Sequence, residues 1–286
     1  MTAAWPWRVL IPVDFSEPSA SALRFASRLV GGLQSSLLVL HAHSWEAPAY
    51  FTESRLEELG RQFQFSMQEA DHALEEFIAR ECPGCTVIRR IMDARPVDGI
   101  LQAAAEAGTD LIVLGTHGRS GVRRFLLGSV AERTLHETSI PVVTVRPTSE
   151  SPQTQGPLKK ILCPVNESAT ARHALELAAR VAVSAQAELS VLHVAEPNKE
   201  GARPDFCGCL PEGDGLACQV RELSAIGDPA EEILRLARES GADLLVVGAN
   251  HRPFADATVI GATTIRVVRH SPIPVLTVAS TERVKG

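Results

Sequence analysis

The stretch DLIVLGTHGRSGVRRFLLGS, Asp110–Ser129, joins an apolar run to the start of a helical pattern and indicates the fold class. Gly115 and Gly118 lie three residues apart, and Gly128 follows after nine more residues. Glycine permits positive φ angles and a close approach of the backbone to a ligand. A helix that opens at Ser129 would present unpaired N–H groups, which favour an anion. The stretch therefore predicts a buried strand followed by a loop that holds phosphate.

The same loop also has a purely structural interpretation, a glycine-rich turn before a helix that Ser129 caps with its hydroxyl. It differs from a P-loop because no Lys follows Gly128, and it does not match the G-x-G-x-x-G pattern of dinucleotide folds. Three arginines, Arg119, Arg123 and Arg124, would add positive charge between the glycines. The glycines alone leave the binding and the structural interpretation open.

The chain contains two copies of one pattern. RVLIPVDFSEPSASALRFASRLV near the start returns as KILCPVNESATARHALELAARVA, so that Pro12 matches Pro164. The spacing between matched residues is smaller in the later part of the copies, which indicates that the second copy is shortened before Cys218. Between the copies lies TSESPQTQGP, whose composition is that of a linker. We expect a first domain over 1–147, a linker over 148–157 and a second domain over 158–286.

Apolar runs alternate with helical patterns in each copy. In the first copy the predicted strands are Arg8–Val13, Ser36–Ala42, Thr86–Ile91, Asp110–Leu114 and Val142–Val145. The predicted helices are Ala20–Val30, Glu53–Glu81, Val97–Ala107 and one that opens at Ser129. Such alternation is typical of an open parallel sheet with helices on both faces. Ligands of these sheets bind beyond the carboxyl ends of the strands, where the strand order reverses.

Composition and charge narrow the class of protein. The 286 residues are 45% hydrophobic and 22% charged, with a net charge of −6 and no basic block, which argues against a nucleic-acid partner. The start MTAAWPWRVLIPVD does not resemble a signal peptide, and no apolar run reaches the length of a membrane span. We expect a cytoplasmic protein with no membrane partner, whose six cysteines form no disulfide framework.

The spacing G-x2-G-x9-G-[ST] after an apolar strand resembles the nucleotide-binding signature of the universal stress protein family. VLIPVDFS resembles the first strand of that family, LLVLHAH the second, and SVAERTLHETSIPVVTVRP the last helix and strand. The resemblance covers nearly all of both halves and implies a tandem, two-domain member. It implies two tandem five-stranded parallel open sheets with helices on both faces, the adenine-nucleotide alpha hydrolase-like fold. It also implies that the two domains pair through their last strands as in a dimer, and that the chain forms a homo-oligomer.

The resemblance assigns ten residues of the first half to an adenine nucleotide. From the base to the phosphates they are Pro12, Asp14, Ala42, Leu114, Gly115, His117, Gly118, Gly128, Ser129 and Val130. Without the resemblance, Asp14 is equally well explained as a turn or cap residue. The expected ligand is ATP, with or without Mg²⁺. The expected activity is at most slow hydrolysis with no catalytic residue assigned, because the loop holds no carboxylate and Ser129 has no identifiable base.

The second half departs from this pattern in GANHRPFADATVIGAT. His251 replaces the second glycine, Ala262 replaces Ser129, and Asn166 replaces Asp14. An imidazole would crowd the phosphates, and Asp256 would repel them. We expect one site in the first half and a mainly structural second half, with weak binding by both halves as the alternative.

The cysteines support a competing hypothesis. Cys82 and Cys85 have C-x2-C spacing, and a second group consists of Cys207, Cys209 and Cys218. Three thiols in a Gly- and Pro-rich loop are able to bind zinc with a fourth ligand, or to form a redox pair. The two functional hypotheses are therefore an ATP-binding regulatory protein of the stress response, and a non-nucleotide scaffold or cysteine-based sensor that uses the loop from Cys207 to Cys218.

Overall fold

Strands and helices alternate along both halves of the chain in the computed structural model, which describes residues 7–30, 35–44, 53–116, 127–147, 156–195, 218–249, 251–254 and 257–279. The strands are β1 (Arg8–Pro12), β2 (Ser36–Ala42), β3 (Val87–Met92), β4 (Leu111–Gly115), β5 (Val142–Val145), β6 (Lys160–Val165), β7 (Glu188–Ala195), β8 (Val220–Ile226), β9 (Leu244–Ala249), β10 (His251–Phe254), β11 (Ala257–Ile260) and β12 (Val275–Ala279). The helices are α1 (Glu17–Val30), α2 (Glu53–Glu81), α3 (Pro96–Ala107), α4 (Ser129–Glu137), α5 (Ala169–Ala185), α6 (Pro229–Glu239) and α7 (Ala262–His270).

Ten of these strands form one sheet in the order β3-β2-β1-β4-β5-β12-β9-β6-β7-β8. The five strands of each half are parallel to one another. The halves meet at β5 and β12, which are antiparallel, with Val143 opposite Leu276. In each half the strand order reverses beside the first strand, next to β4 in the first half and next to β9 in the second. Each half therefore has the switch point at which ligands of such sheets bind.

The apolar runs become strands that are covered on both faces, because a parallel sheet is packed between two layers of helices. Leu111, Ile112, Val113 and Leu114 of β4 are all buried. The core on one face is formed with α1, α2 and α5. The core on the other face is formed with α3, α4, α6 and α7.

Local sequence signals set the helix boundaries. Pro96 and Pro229 stand in the first turns of α3 and α6, where the missing N–H of proline costs no hydrogen bond. Ser168 caps α5, since its side chain accepts a hydrogen bond from the N–H of Ala171. Gly108 ends α3 in the left-handed conformation, at φ 57°. These boundaries leave the first turns of the helices beside the carboxyl ends of the strands.

The observed elements follow the predicted alternation, with two differences. Helix α1 begins at Glu17 instead of Ala20, because Pro18 is tolerated in a first helical turn. The alternation did not predict the antiparallel hairpin of β10 and β11, in which His251 pairs with Ile260. No helix in the described part of the chain is long and apolar enough to cross a membrane. Most of the expected linker, residues 148–155, lies outside the described residues, and the expected domain limits stay a prediction.

Candidate functional site

A cavity of about 250 Å³ lies at the switch point of the first half, among the carboxyl ends of β1, β2 and β4 and the first turns of α3 and α4. The expected site residues that line it are Pro12, Asp14, Ala42, Leu114, Gly115, Gly128, Ser129 and Val130. The other two, His117 and Gly118, lie outside the described residues, as do Arg119, Arg123 and Arg124. The structure thus brings together every expected residue that it describes, while their role in binding stays a prediction.

Seven further residues line the cavity and were not expected there: Val13, Ser19, Leu40, Pro96, Ile100, Thr116 and Ala131. The contribution of α3 had a signal in the sequence, because Pro96 of the first copy matches Pro229 of the second and opens a predicted helix. Ile100 lies one turn further along the same helix and is buried. The first two turns of α3 therefore supply an apolar wall that motif spacing alone did not reveal.

Gly115 has a packing role, because the backbone of α1 approaches it closely. Gly115 is not among the glycines of positive φ in the structure. A Cβ at this position would lie 2.6 Å from the carbonyl carbon and 2.7 Å from the carbonyl oxygen of Pro18 in α1. Of the two properties that glycine offers here, Gly115 therefore uses the close approach and not a positive φ, and the close packing of α1 against β4 requires it.

The start of α4 stands at the mouth of the cavity. Gly128 is the N-cap residue and Ser129 the first helical residue, and no side chain caps the helix. The alternative in which the Ser129 hydroxyl caps α4 is therefore wrong. The N–H of Gly128 donates to the carbonyl oxygen of Thr116 at 2.6 Å, which holds this end of the helix beside the end of β4. The first-turn N–H groups and the helix dipole give this end of α4 a positive electrostatic potential.

The second half contributes a charge next to this helix start. Glu132 lies in the first turn of α4, where a carboxylate would oppose a bound phosphate. The Nη2 of Arg269, in the last turn of α7, donates to the Oε1 of Glu132 at 2.9 Å. The ion pair compensates the negative charge of Glu132 and so preserves the positive potential of the helix end.

Asp14 is the turn residue that one of the two interpretations expected, and it also lines the cavity. Its Oδ1 accepts hydrogen bonds from the backbone N–H of Ser16, at 3.1 Å, and from the Ser16 hydroxyl. This is the geometry of an Asx turn. Asp14 also lines the cavity, so the turn fixes the position of its carboxylate relative to the cavity wall.

Aromatic packing supports that turn from behind. Phe15 has a positive φ of 64°, a conformation that side chains larger than glycine rarely adopt. Its ring lies 4.5 Å from the ring of His41 and 5.6 Å from that of Phe77 in α2, centroid to centroid. The Nδ1–H of His41 donates to the carbonyl oxygen of Val13 at 2.8 Å. These contacts hold the segment from Val13 to Phe15 in place beside the cavity.

The second half has a larger cavity at the equivalent place, with a volume of about 560 Å³. Asn166, Gly248, Gly261, Ala262 and Thr263 line it where the first half has Asp14, Gly115, Gly128, Ser129 and Val130. The side chain of His251 and the whole of Asp256 lie outside the described residues, so the expected crowding of phosphates is not addressed by the structure. An open cavity remains in the second half, although the polar residues at its edge have changed.

Comparison with known proteins then assigns the family. The model described as Universal stress protein family matches residues 7–146, 157–206 and 214–279. The chain belongs to this family. Because the matches extend over both halves, it is a tandem universal stress protein, and its fold is the α/β fold with adenine-nucleotide alpha hydrolase-like topology.

Other universal stress proteins resemble one half of the chain in sequence or the whole chain in structure. A universal stress protein of Mycobacterium tuberculosis is 32% identical over 144 residues, which are 48% of this chain and 45% of that protein. One from Bacillus subtilis is 28% identical over 148 residues, 49% of this chain and 98% of that protein. The match therefore spans less than half the length of the mycobacterial relatives. The crystal structure of a universal stress protein from Archaeoglobus fulgidus covers 98% of this chain and 99% of its own, with a TM-score of 0.69 and 23% identity.

The cysteines of this universal stress protein are arranged differently from the expectation. Cys82 and Cys85 form a disulfide, although the sequence implied none. Cys163 is buried and Cys218 partly buried, and burial raises the pKa of both thiols. Cys207 and Cys209 lie outside the described residues. Among the residues described, no group of three or more His, Cys, Asp or Glu side chains is placed to hold a metal ion.

Proposed function

We propose that this universal stress protein binds ATP in the cavity of its first half and acts as a regulatory protein of the stress response. The observation that carries the proposal is the convergence of the expected binding residues on one cavity at the strand-order switch point, with the start of α4 at its mouth. The fold places ligands at this point, and the helix start favours the phosphates of a nucleotide.

The chemistry of the lining matches the parts of a nucleotide in order. Leu40, Ala42 and Ile100 form an apolar wall suited to the adenine base. The carboxylate of Asp14 is an acceptor for the ribose hydroxyl groups. The N–H groups of the first turn of α4, beginning at Ser129, donate to phosphate oxygens. A cavity of about 250 Å³ lies below the usual range of about 300–1,000 Å³ for small-molecule pockets. We therefore place the nucleoside inside it and the phosphates, with any Mg²⁺ that they carry, at its mouth.

We propose a binding role, with at most slow hydrolysis. Phosphoryl transfer requires a positioned water and compensation of the developing charge, usually by a metal ion held by side chains. Asp14 is the sole carboxylate among the described lining residues, and its Oδ1 accepts two hydrogen bonds from Ser16. The proposal includes pairing of the two halves through β5 and β12, homo-oligomer formation and a cytoplasmic location, with no nucleic-acid or membrane partner.

Calorimetric titration of the full chain with Mg-ATP tests the proposal. We compare the wild type with Ser129→Glu and with Ala262→Glu, which introduces the same charge at the equivalent residue of the second half. Both positions are exposed first residues of a helix, where a carboxylate suits the helix dipole, so both variants are expected to fold. A carboxylate at Ser129 would repel the phosphates that we place there.

We expect one ATP per chain, a loss of affinity of about tenfold or more in Ser129→Glu, and unchanged affinity in Ala262→Glu. A tenfold loss corresponds to about 1.4 kcal/mol, a modest repulsion for two charges in contact. If the wild type does not bind ATP, or if Ala262→Glu loses affinity while Ser129→Glu keeps it, the proposed site is wrong. Phosphate release that is fast and sensitive to Ser129→Glu would contradict the regulatory role.

A further inference from the structure

The C-P-G-C segment Cys82–Cys85 forms a tight turn between α2 and β3. Cys82 continues the helical hydrogen-bond pattern of α2, since its N–H donates to the carbonyl oxygen of Ile78 at 2.9 Å. The N–H of Cys85 donates to the carbonyl oxygen of Cys82 at 3.2 Å, and Gly84 has a φ of 79°. The two cysteines form a disulfide with their Cα atoms 5.6 Å apart, within the usual range of about 4.4–6.8 Å. The backbone turn itself therefore holds the two sulfurs within bonding distance.

The two cysteine residues differ in their exposure to solvent. Cys82 is 3% exposed and packs in the core together with Phe77 and Ile78. Cys85 is only partly buried at the edge of that core. Thiol–disulfide exchange requires access of the attacking thiolate to one sulfur. Of the two residues, Cys85 is therefore the better placed for attack by a small thiol.

Cys82 is held at the buried end of α2. It follows the last residue of α2, at the negative end of the helix dipole, and it is buried. Glu81, the residue before it, places a carboxylate nearby, which is paired with Arg24 of α1 and with the Nε of Arg80 at 2.8 Å. The ion pairs of Glu81 fix this end of α2, and the preformed turn favours closure of the disulfide.

We propose that Cys82 and Cys85 are a reversible dithiol–disulfide couple, a redox modification site that exchanges with low-molecular-weight thiols and disulfides through Cys85. In reduction, an external thiolate attacks the Sγ of Cys85, the Cys82–Cys85 bond breaks, and Cys82 leaves as a thiolate that takes a proton. A second external thiolate then attacks the external sulfur of the mixed disulfide, releasing Cys85 as a thiol after protonation and one external disulfide. Oxidation is the reverse, with the external disulfide accepting two electrons to become two thiols.

Among the cysteines that the structure describes, the disulfide pair occurs only in the first half. Cys218 is the match of Cys85 in the second copy, but it is unpaired, and Gly215 stands three residues before it where the first copy has Cys82. Cys163 is unpaired and buried within β6. These two thiols serve as internal controls for the reactivity of the pair.

Redox titration of the full chain tests the proposal independently of any nucleotide. The protein is equilibrated in mixtures of reduced and oxidised glutathione, quenched with acid, alkylated and digested with trypsin. Cleavage after Arg80 and Arg89 leaves both cysteines in one peptide, ECPGCTVIR, so its disulfide form is read directly by mass. Cys82→Ala and Cys85→Ala are compared in the presence of oxidised glutathione, after circular dichroism has shown that each is folded.

We expect the peptide to pass from the dithiol to the disulfide form in one reversible step that depends on the square of the reduced glutathione concentration. The Cys82→Ala protein is expected to take up glutathione at Cys85 on the order of tenfold faster than the Cys85→Ala protein does at Cys82, because only Cys85 is accessible. A wild-type peptide that stays dithiol in every mixture, or stays disulfide until the protein is unfolded, overturns the proposal. Equal glutathione uptake by the two variants overturns the entry through Cys85.

Discussion

Replacing Gly115 by alanine tests whether packing of α1 or phosphate binding requires the glycine at the end of β4. The added Cβ would lie 2.6 Å from the carbonyl carbon of Pro18, 2.7 Å from its carbonyl oxygen and 2.7 Å from its Cβ. Two of these atoms belong to the backbone and cannot rotate away, so α1 must shift relative to the sheet. Because α1 is part of the core on that face, the shift disturbs packing well beyond the substituted residue.

Overpacking of a dense core typically costs about 1–3 kcal/mol. The reduced freedom of the unfolded chain that comes with Gly→Ala offsets about 0.4–1 kcal/mol of this. We expect Gly115→Ala to lower the free energy of unfolding by about 1–2 kcal/mol, as measured by urea denaturation of the full chain. Gly248→Ala in β9 is the matched variant of the second half, since its Cβ would lie 2.8 Å from the carbonyl carbon and oxygen of Thr170. It should lose a similar amount.

Gly60→Ala is the control for the substitution itself. Gly60 lies within α2, and a Cβ there would meet nothing within 4 Å. Alanine should therefore raise the free energy of unfolding by up to about 1 kcal/mol through its helix propensity. If Gly115→Ala is as stable as the wild type while Gly60→Ala gains stability, the packing argument is refuted, and close approach to a ligand becomes the better reason for the glycine.

Two further predictions concern charges. Arg269→Met removes the partner of Glu132, and we expect the affinity for Mg-ATP to fall by up to about fivefold, since a half-exposed pair is worth at most about 1 kcal/mol. Calorimetry should show that the affinity for Mg-ATP recovers in the double variant Arg269→Met with Glu132→Gln. A double variant that binds as weakly as Arg269→Met alone would contradict the idea that Arg269 compensates the charge of Glu132. Partial burial alone would raise the pKa of the Asp110 carboxyl, but hydrogen bonds from Arg8 hold that pKa below its ordinary value. The stability that these hydrogen bonds contribute is fully present at neutral pH. It is lost as the pH falls from about 4, the ordinary pKa of an aspartate, down through the lower pKa of Asp110 in the folded protein. In Asp110→Asn the free energy of unfolding, measured as a function of pH, should therefore fall less steeply below pH 4 than in the wild type. Parallel curves for the variant and the wild type would show that this carboxyl does not contribute to stability.

The elements of the sheet could be predicted because each of them has a local signal. Runs such as Leu111–Gly115 are apolar throughout, as strands covered on both faces must be. Pro96 and Ser168 mark helix starts by chemistry that acts within a few residues. The repeat then extended the same prediction to the second half, where the alternation of elements recurs.

What the sequence did not reveal depends on contacts between distant residues. Gly115 is fixed by the approach of Pro18, nearly a hundred residues earlier, and no local pattern reports such an approach. The lining by Ile100 depends on how α3 docks on the sheet. The disulfide of Cys82 and Cys85 depends on the tight turn at Gly84, which the C-x2-C spacing alone does not establish.

Because β5 and β12 pair with each other, neither half of the sheet has an exposed edge at its last strand. An uncovered strand edge presents unpaired N–H and C=O groups to any other chain, and here each half covers the edge of the other. In an assembly of two identical chains, every substitution would appear at both cavities at once. With both halves in one chain, Ser129 stands at one helix start while Ala262 stands at the other, and the shared edge is still covered. Covalent fusion thus allows the two cavities to diverge without exposing the seam between them.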